Sequence, residues 1–98
     1  MGIKALPYET RVYINNQVLL PAMLVRALGI EGWRYAKITI EYRGFRTGFL
    51  AKLLRTRSTA SRQFTIPREV REAYGIKPLD TVRVIVLEPT KSKEVLGT

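Results

Sequence analysis

The chain reads as one mainly β domain with two short helices, built from two tandem β-α-β units that share a core. Three observations predict this. Residues 16–30, "NQVLLPAMLVRALGI", and 62–76, "RQFTIPREVREAYGI", match at an offset of 46 positions, aligning Gln17 with Gln63, Pro21 with Pro67, Ala27 with Ala73, Gly29 with Gly75 and Ile30 with Ile76. The segments that follow, "YAKITIEY" (35–42) and "TVRVIVLE" (81–88), both alternate and are rich in β-branched residues, as half-buried strands are. Finally, 98 residues at 46% apolar composition suffice for one core but not for two independent ones.

The elements follow in order. Val12, Ile14, Val18 and Leu20 alternate up to Pro21, which predicts a half-buried strand. Proline cannot extend a ladder, yet its fixed φ suits the first turn of a helix. That helix is about two turns long, marginal by itself, and stops at Gly29, the residue type favoured in a left-handed C-terminal cap. The strand 35–42 leads through a "YRGFR" turn, with Gly44 supplying positive φ, into a further strand over 46–54. In the second unit Phe64 and Ile66 repeat the first strand, Pro67 and Gly75 bound the helix, and 81–88 forms the next strand. The tail "SKEVLGT" is the expected short counterpart of 46–54. This divides the single domain into units 11–54 and 55–98, a dimer fused into one chain.

The two helices differ. Val70, Ala73 and Tyr74 make one apolar face on the second, with charges opposite. The first carries Ala22, Met23 and Val25 where the second has Arg68, Glu69 and Arg71, so it is apolar almost all round. Such a helix needs a cover. The N-terminal arm (Ile3, Leu6, Tyr8) is the expected one, being adjacent and free of association entropy. A second chain is the alternative, which would make a homodimer of a chain otherwise expected to be a monomeric pseudo-dimer.

Function is bounded first by what is missing. There is no cysteine and no histidine, Asp80 is the single aspartate, and no carboxylates are spaced as a catalytic pair. The commonest general base, thiol nucleophile and metal ligands are thus absent, so no enzyme, metal or cofactor is expected. No phosphate-loop motif occurs. "RGFRTGF" (43–49) fails as an RNA-recognition sheet motif, because Arg46 and Thr47 stand where a small residue and an aromatic are required. No apolar run has membrane-spanning length and the start lacks a signal-peptide pattern, which predicts a cytoplasmic protein. Scarce Asn, Gln and Met suit a hot habitat. The charge does not follow from habitat alone: 17 basic residues face 8 acidic ones, a formal +9, which favours a polyanionic partner. Between Glu41 and Glu69 there is no acid but seven cations: Arg43, Arg46, Lys52, Arg55, Arg57, Arg62 and Arg68. Arginine forks fit phosphate and also reach base edges.

The second copy, "RQFTIPREVREAYGIKPLDTVRVIV", resembles the strand–Pro–helix–Gly-Ile–strand signature of the AbrB/SpoVT-like swapped-hairpin family. The first copy keeps Gln17, Pro21, Gly29 and Ile30 of it. The resemblance implies a small barrel in which hairpins of two units interleave, and a nucleoid-associated, archaeal-type regulator or chromatin protein that binds double-stranded DNA. It also implies basic residues on the first strand of each unit, here Arg11 and Arg57, and on the helices, here Arg26 and Arg71. Arg55 and Arg62 are added on charge alone. The family's glycine before Gln is Asn16 in one copy and Arg62 in the other; arginine tolerates positive φ poorly, so the second hinge is expected to differ. An antitoxin or adaptor with a protein partner is the alternative function, though only "PTKSKEVLGT" follows the last strong strand. An RNA- or ribosome-associated role suits the charge as well.

Overall fold

A computed structural model describes residues 2–56 and 59–90. The strands are β1 (Lys4–Arg11), β2 (Gln17–Leu20), β3 (Tyr35–Tyr42), β4 (Phe45–Lys52), β5 (Leu54–Arg55), β6 (Arg62–Thr65) and β7 (Thr81–Thr90); the helices are α1 (Ala22–Leu28) and α2 (Arg68–Tyr74). They form two antiparallel sheets, ordered β1-β7-β3-β4 and β2-β6-β5. Each sheet takes strands from both units. In the smaller one Val18 lies opposite its own repeat partner Phe64, so the pseudo-two-fold axis passes between them. In the larger one the axis falls near Thr39 and Ile85, also repeat partners.

Between the sheets lies one core, with Val18, Leu20, Ile38, Ile40, Phe64, Ile66, Val84 and Leu87 fully buried. The alternation in β7 is interrupted: Val82 and Val84 face inward, then Leu87 does. The register explains this, because Ile40 pairs with Val84 and Thr39 with Val86, leaving Ile85 as an extra residue in a bulge.

The "GI" that closes both helices has a physical cause. Gly29 and Gly75 adopt φ of 69° and 71°. The next amide turns back onto the helix, from Ile30 to the Val25 carbonyl at 3.2 Å and from Ile76 to that of Arg71 at 2.9 Å. This is the Schellman arrangement, in which glycine takes the left-handed position and the following apolar residue is drawn inward. Ile30 and Ile76 are both buried. The prolines sit one position earlier than the sequence suggests, as extended N-cap residues whose carbonyls accept from Val25 and Arg71.

Several expectations are corrected. Ile14 does not lie in a strand; it stands 83% exposed in the turn between β1 and β2. The N-terminal arm does not cover α1. It forms β1 at the edge of the large sheet, with Pro7 at an irregularity of the β1–β7 ladder, where its missing N–H is tolerated. Met23 is consequently 81% exposed, whereas Val25 belongs to the core and needs no outside cover. On α2, Ala73 and Tyr74 are exposed and Val70 is half-buried. The expected strand 46–54 is mainly β4, yet β4 flanks β3 as β1 flanks β7, so by position it opens the second unit. The unit boundary therefore falls at the Arg43–Gly44 turn, not after residue 54. The expected strand in "SKEVLGT" lies outside the described residues.

A buried side-chain hydrogen bond helps tie the units together. The hydroxyl of Tyr42, buried at the end of β3, donates to Asp80 Oδ2 at 2.7 Å, and the Lys77 amide donates to the same oxygen at 2.9 Å. The Tyr42 hydrogen bond first, then the Lys77 amide, hold the Asp80 carboxyl below its ordinary pKa, while Asp80 raises that of Tyr42. A carboxyl that ionises more readily folded than unfolded stabilises fully above the unfolded value of about 4 and loses that contribution as pH falls below it. Tyr42→Phe should cost about 1 kcal/mol at neutral pH. It should also flatten the acid limb of stability below about pH 4, as read by urea unfolding across pH.

Candidate nucleic-acid interface

The turn after α1 and the β4–β5 segment enclose a groove of about 550 Å³ lined by residues 31–34, 52–55 and Arg62. Its walls are held by backbone. The Leu53 amide donates to the Arg34 carbonyl at 2.8 Å, and Leu53 itself is buried. Lys52, before the inward Leu53, and Arg55, two residues after it, are thereby exposed beside Arg34. Trp33 is half-buried, packed against the core on one side and lining the groove on the other.

Arg62 forms the base. It is only 5% exposed, and its guanidinium donates to the carbonyls of Ala60 (2.6 Å), Ser61 (3.0 Å) and Glu31 (2.9 Å). No carboxylate pairs with it among the described residues. The bond to Glu31 fastens the turn that carries Trp33 and Arg34 onto β6. Arg34, Lys52 and Arg55 likewise make no ion pair among the described residues. Four cations and one carboxylate, Glu31, thus line one concavity, which carries a net positive formal charge.

The sequence-derived arginines divide by environment. Arg55 lies in the groove, exposed. Arg62 is there too, but buried, so it is corrected from a contact residue to one that positions the groove. Arg57 lies outside the described residues. Arg11 at the end of β1 and Arg26 in the last turn of α1 are exposed, without ion pairs among the described residues. Arg43 adopts φ of 51° in the β3–β4 turn, ahead of Gly44 at 85°, and lies over the Tyr42 ring at 5.2 Å. It borders a second hollow, of about 360 Å³, with Phe45 and Tyr74. Arg46 is engaged with Glu41, which also receives Arg83, both at 3.5 Å. Arg68 pairs with Glu72 at 2.9 Å, and half-buried Arg71 donates from Nε to the Ile66 carbonyl at 2.9 Å. The structure therefore brings Arg55 and Arg62 together and leaves the other described arginines of this set outside the groove.

Sequence reasoning does not single out Trp33, Arg34 and Lys52 as a site. The signal is present in the repeat but obscured by a change of register. Arg11 lies opposite Thr81 and Lys52 opposite Tyr35, and 35 and 81 are repeat partners. Lys52, not Arg57, is therefore the counterpart of Arg11. The offset is 41 there and 46 at Asn16 and Arg62, so the second unit carries five extra residues, 56–60. With that register, Trp33 matches Leu79, Arg34 matches Asp80, Leu54 matches Tyr13 and Arg55 matches Ile14. The equivalent end of the molecule has a different surface: Tyr13, Ile14 and Leu79 are exposed, and the Leu79 amide donates to the Val12 carbonyl at 2.7 Å, which places them close together. One end gathers four cations around a groove; the other exposes apolar side chains beside Arg11 and Lys77.

Neither a family model nor a curated protein matches this chain. Among solved structures it is similar to the solution structure of PHS018 from Pyrococcus horikoshii, with a TM-score of 0.67 and 23% identity over 94% of this chain and 100% of that one. That likeness shows the fold: a small, mainly β protein with antiparallel sheets. Among the described residues no helix is long and apolar enough to cross a membrane, and no cluster of three metal-ligating side chains occurs.

The two roles assigned to arginine separate by mutation. Arg62→Ala should lower the unfolding free energy by about 1–3 kcal/mol, because three buried or half-buried carbonyls lose a charged donor. Arg55→Ala, exposed and without an ion pair, should stay within about 0.5 kcal/mol of the parent in the same urea titration.

Proposed function

We propose that this chain binds DNA, as a small regulator or chromatin protein of the swapped-hairpin kind. The observation that carries this is the groove of Arg34, Lys52 and Arg55 over buried Arg62, with no carboxylate in an ion pair with any of the four among the described residues. Exposed cations that the protein leaves unpaired are available to phosphate, and binding releases the counterions that phosphate carries. Exposed Arg11, Arg26 and Arg43 extend the basic surface beyond the groove. The swapped-hairpin reading is supported by the interleaving of β2 with β6 and β3 with β7, together with the motif in 62–84.

A protein-binding adaptor is the second reading, and the exposed Tyr13, Ile14 and Leu79 at the opposite end favour it. The two readings use different surfaces and separate cleanly.

Affinity for a labelled DNA duplex, read by fluorescence anisotropy, should fall steeply with salt. On a log–log plot each neutralised phosphate adds roughly 0.9 to the slope. Replacing Arg34, Lys52 and Arg55 together with Ala should weaken binding and flatten the slope by about 0.9 for each phosphate no longer neutralised. A triple variant that binds DNA like the parent, at every salt concentration, would move the interface elsewhere. An Ile14→Glu variant that weakens DNA binding as much as the triple variant would point to the apolar end instead.

A further inference from the structure

We propose that the groove takes one unpaired nucleotide of a single-stranded nucleic acid, with the base against the Trp33 indole and the flanking phosphates among Arg34, Lys52 and Arg55. This rests on the nucleic-acid reading above and narrows it to a ligand form and to one such site per chain.

Four observations converge. The groove combines an aromatic ring with cations, which is the chemistry of single-strand recognition: bases stack on the ring while a positive track follows the backbone. Bases inside a duplex are already stacked and present no face to an indole. The size agrees, since about 550 Å³ is the scale of a small-ligand site rather than of a duplex-wide surface. The site is also preorganised. Arg62 fixes the Glu31 carbonyl and the Leu53 amide fixes that of Arg34, so the residues flanking Trp33 on both sides are tied to neighbouring strands before any ligand arrives. That lowers the ordering cost of binding.

The fourth observation is the asymmetry. A two-fold protein reading a palindromic duplex needs matching surfaces at its two ends, spaced to the half-sites. Here the equivalents of Trp33, Arg34 and Arg55 are Leu79, Asp80 and Ile14, and Lys52 alone keeps a cationic equivalent, Arg11. An aspartate and two aliphatic side chains cannot receive phosphate and base as their counterparts do. Among the described residues the pseudo-two-fold axis therefore does not repeat this groove, which suits it to a strand with a single polarity.

Trp33 is the only tryptophan in the sequence, so intrinsic fluorescence reports on the groove directly. Titrating the full chain with a short oligothymidylate, and separately with an oligouridylate, should quench that fluorescence with one-to-one stoichiometry. The tighter strand identifies the sugar. A blunt duplex of the same length should raise anisotropy, if it binds, with little quenching. Trp33→Leu, which installs the residue the other unit already carries, should weaken single-strand binding about tenfold, read by anisotropy of a labelled strand. Inorganic tripolyphosphate should compete weakly. Three results would overturn the inference: quenching by duplex equal to that by single strands, tripolyphosphate binding as tightly as the oligonucleotide, or full single-strand affinity in a folded Trp33→Leu. Should DNA raise anisotropy while Trp33 stays silent to every strand, the placement of a base on Trp33 falls and the DNA-binding reading stands. If no nucleic acid binds at all, both fall. Should oligouridylate alone bind and quench, the groove assignment stands and RNA replaces DNA as the partner.

Discussion

The pairing of β2 with β6, with Val18 set against Phe64 on the pseudo-two-fold axis, is the constraint on which the remaining structure depends. Each strand is four residues long and follows a turn, too little to stand as a hairpin by itself. Paired, they close one side of a core whose other side is β3 against β7, again one strand from each unit. Among the described residues the ladder that lies inside one unit is the two-residue pairing of β5 with β6, and the β3–β4 hairpin itself joins the units. Phe64 and Val18 are both fully buried by this arrangement, and truncating a buried phenylalanine typically costs about 3–5 kcal/mol. Two halves that must share a core will remain together, and fusing them in one chain removes the entropy of assembly.

Fusion has a second consequence. In a homodimer every substitution appears at both ends of the axis. In a fused pair the ends vary independently, provided the shared core is kept. The matched residues behave in this way: Val18 and Phe64, Leu20 and Ile66, Ile30 and Ile76 stay apolar and buried, while Trp33 and Leu79 or Arg34 and Asp80 diverge. Asp80 took a structural role, accepting from Tyr42 and the Lys77 amide. Its counterpart Arg34 contributes charge to a groove. Position 25/71 shows the same divergence inside one helix face, where Val25 fills the core and Arg71 caps the Ile66 carbonyl.

What could be read from the sequence follows the same division. Repeated local chemistry was legible: the Pro-to-Gly helices, the apolar alternation of β3 and the second strands, and the sharing of one core all follow from residues that recur at matched positions. Two features were not. The bulge at Ile85 leaves no mark in composition, since "VRVIVLE" alternates equally well without it. The burial of Arg62 was hidden because charge alone places arginine on the surface, and only tertiary structure supplies carbonyls at the ends of its guanidinium. The exposed Met23 and Ile14 failed for the opposite reason: apolar character predicts burial only where a partner surface exists.

The five extra residues at 56–60 account for how Arg62 came to be buried at all. In the first unit the chain reverses tightly after β1, the Asn16 amide donating to the Tyr13 carbonyl at 2.9 Å with Asn16 at φ 65°. Asparagine accepts that left-handed geometry; arginine does so reluctantly. In the second unit, which has five more residues in sequence, Leu54 and Arg55 pair with Gln63 and Arg62 as strands. Arg62 is then extended rather than left-handed, and its side chain turns inward toward the carbonyl of Glu31. The same pairing replaces an exposed turn, Tyr13 to Asn16, with a short strand that aligns Arg55 beside Lys52. One change in loop length thus converts an apolar turn into the wall and floor of a cationic groove, and it does so at one end only.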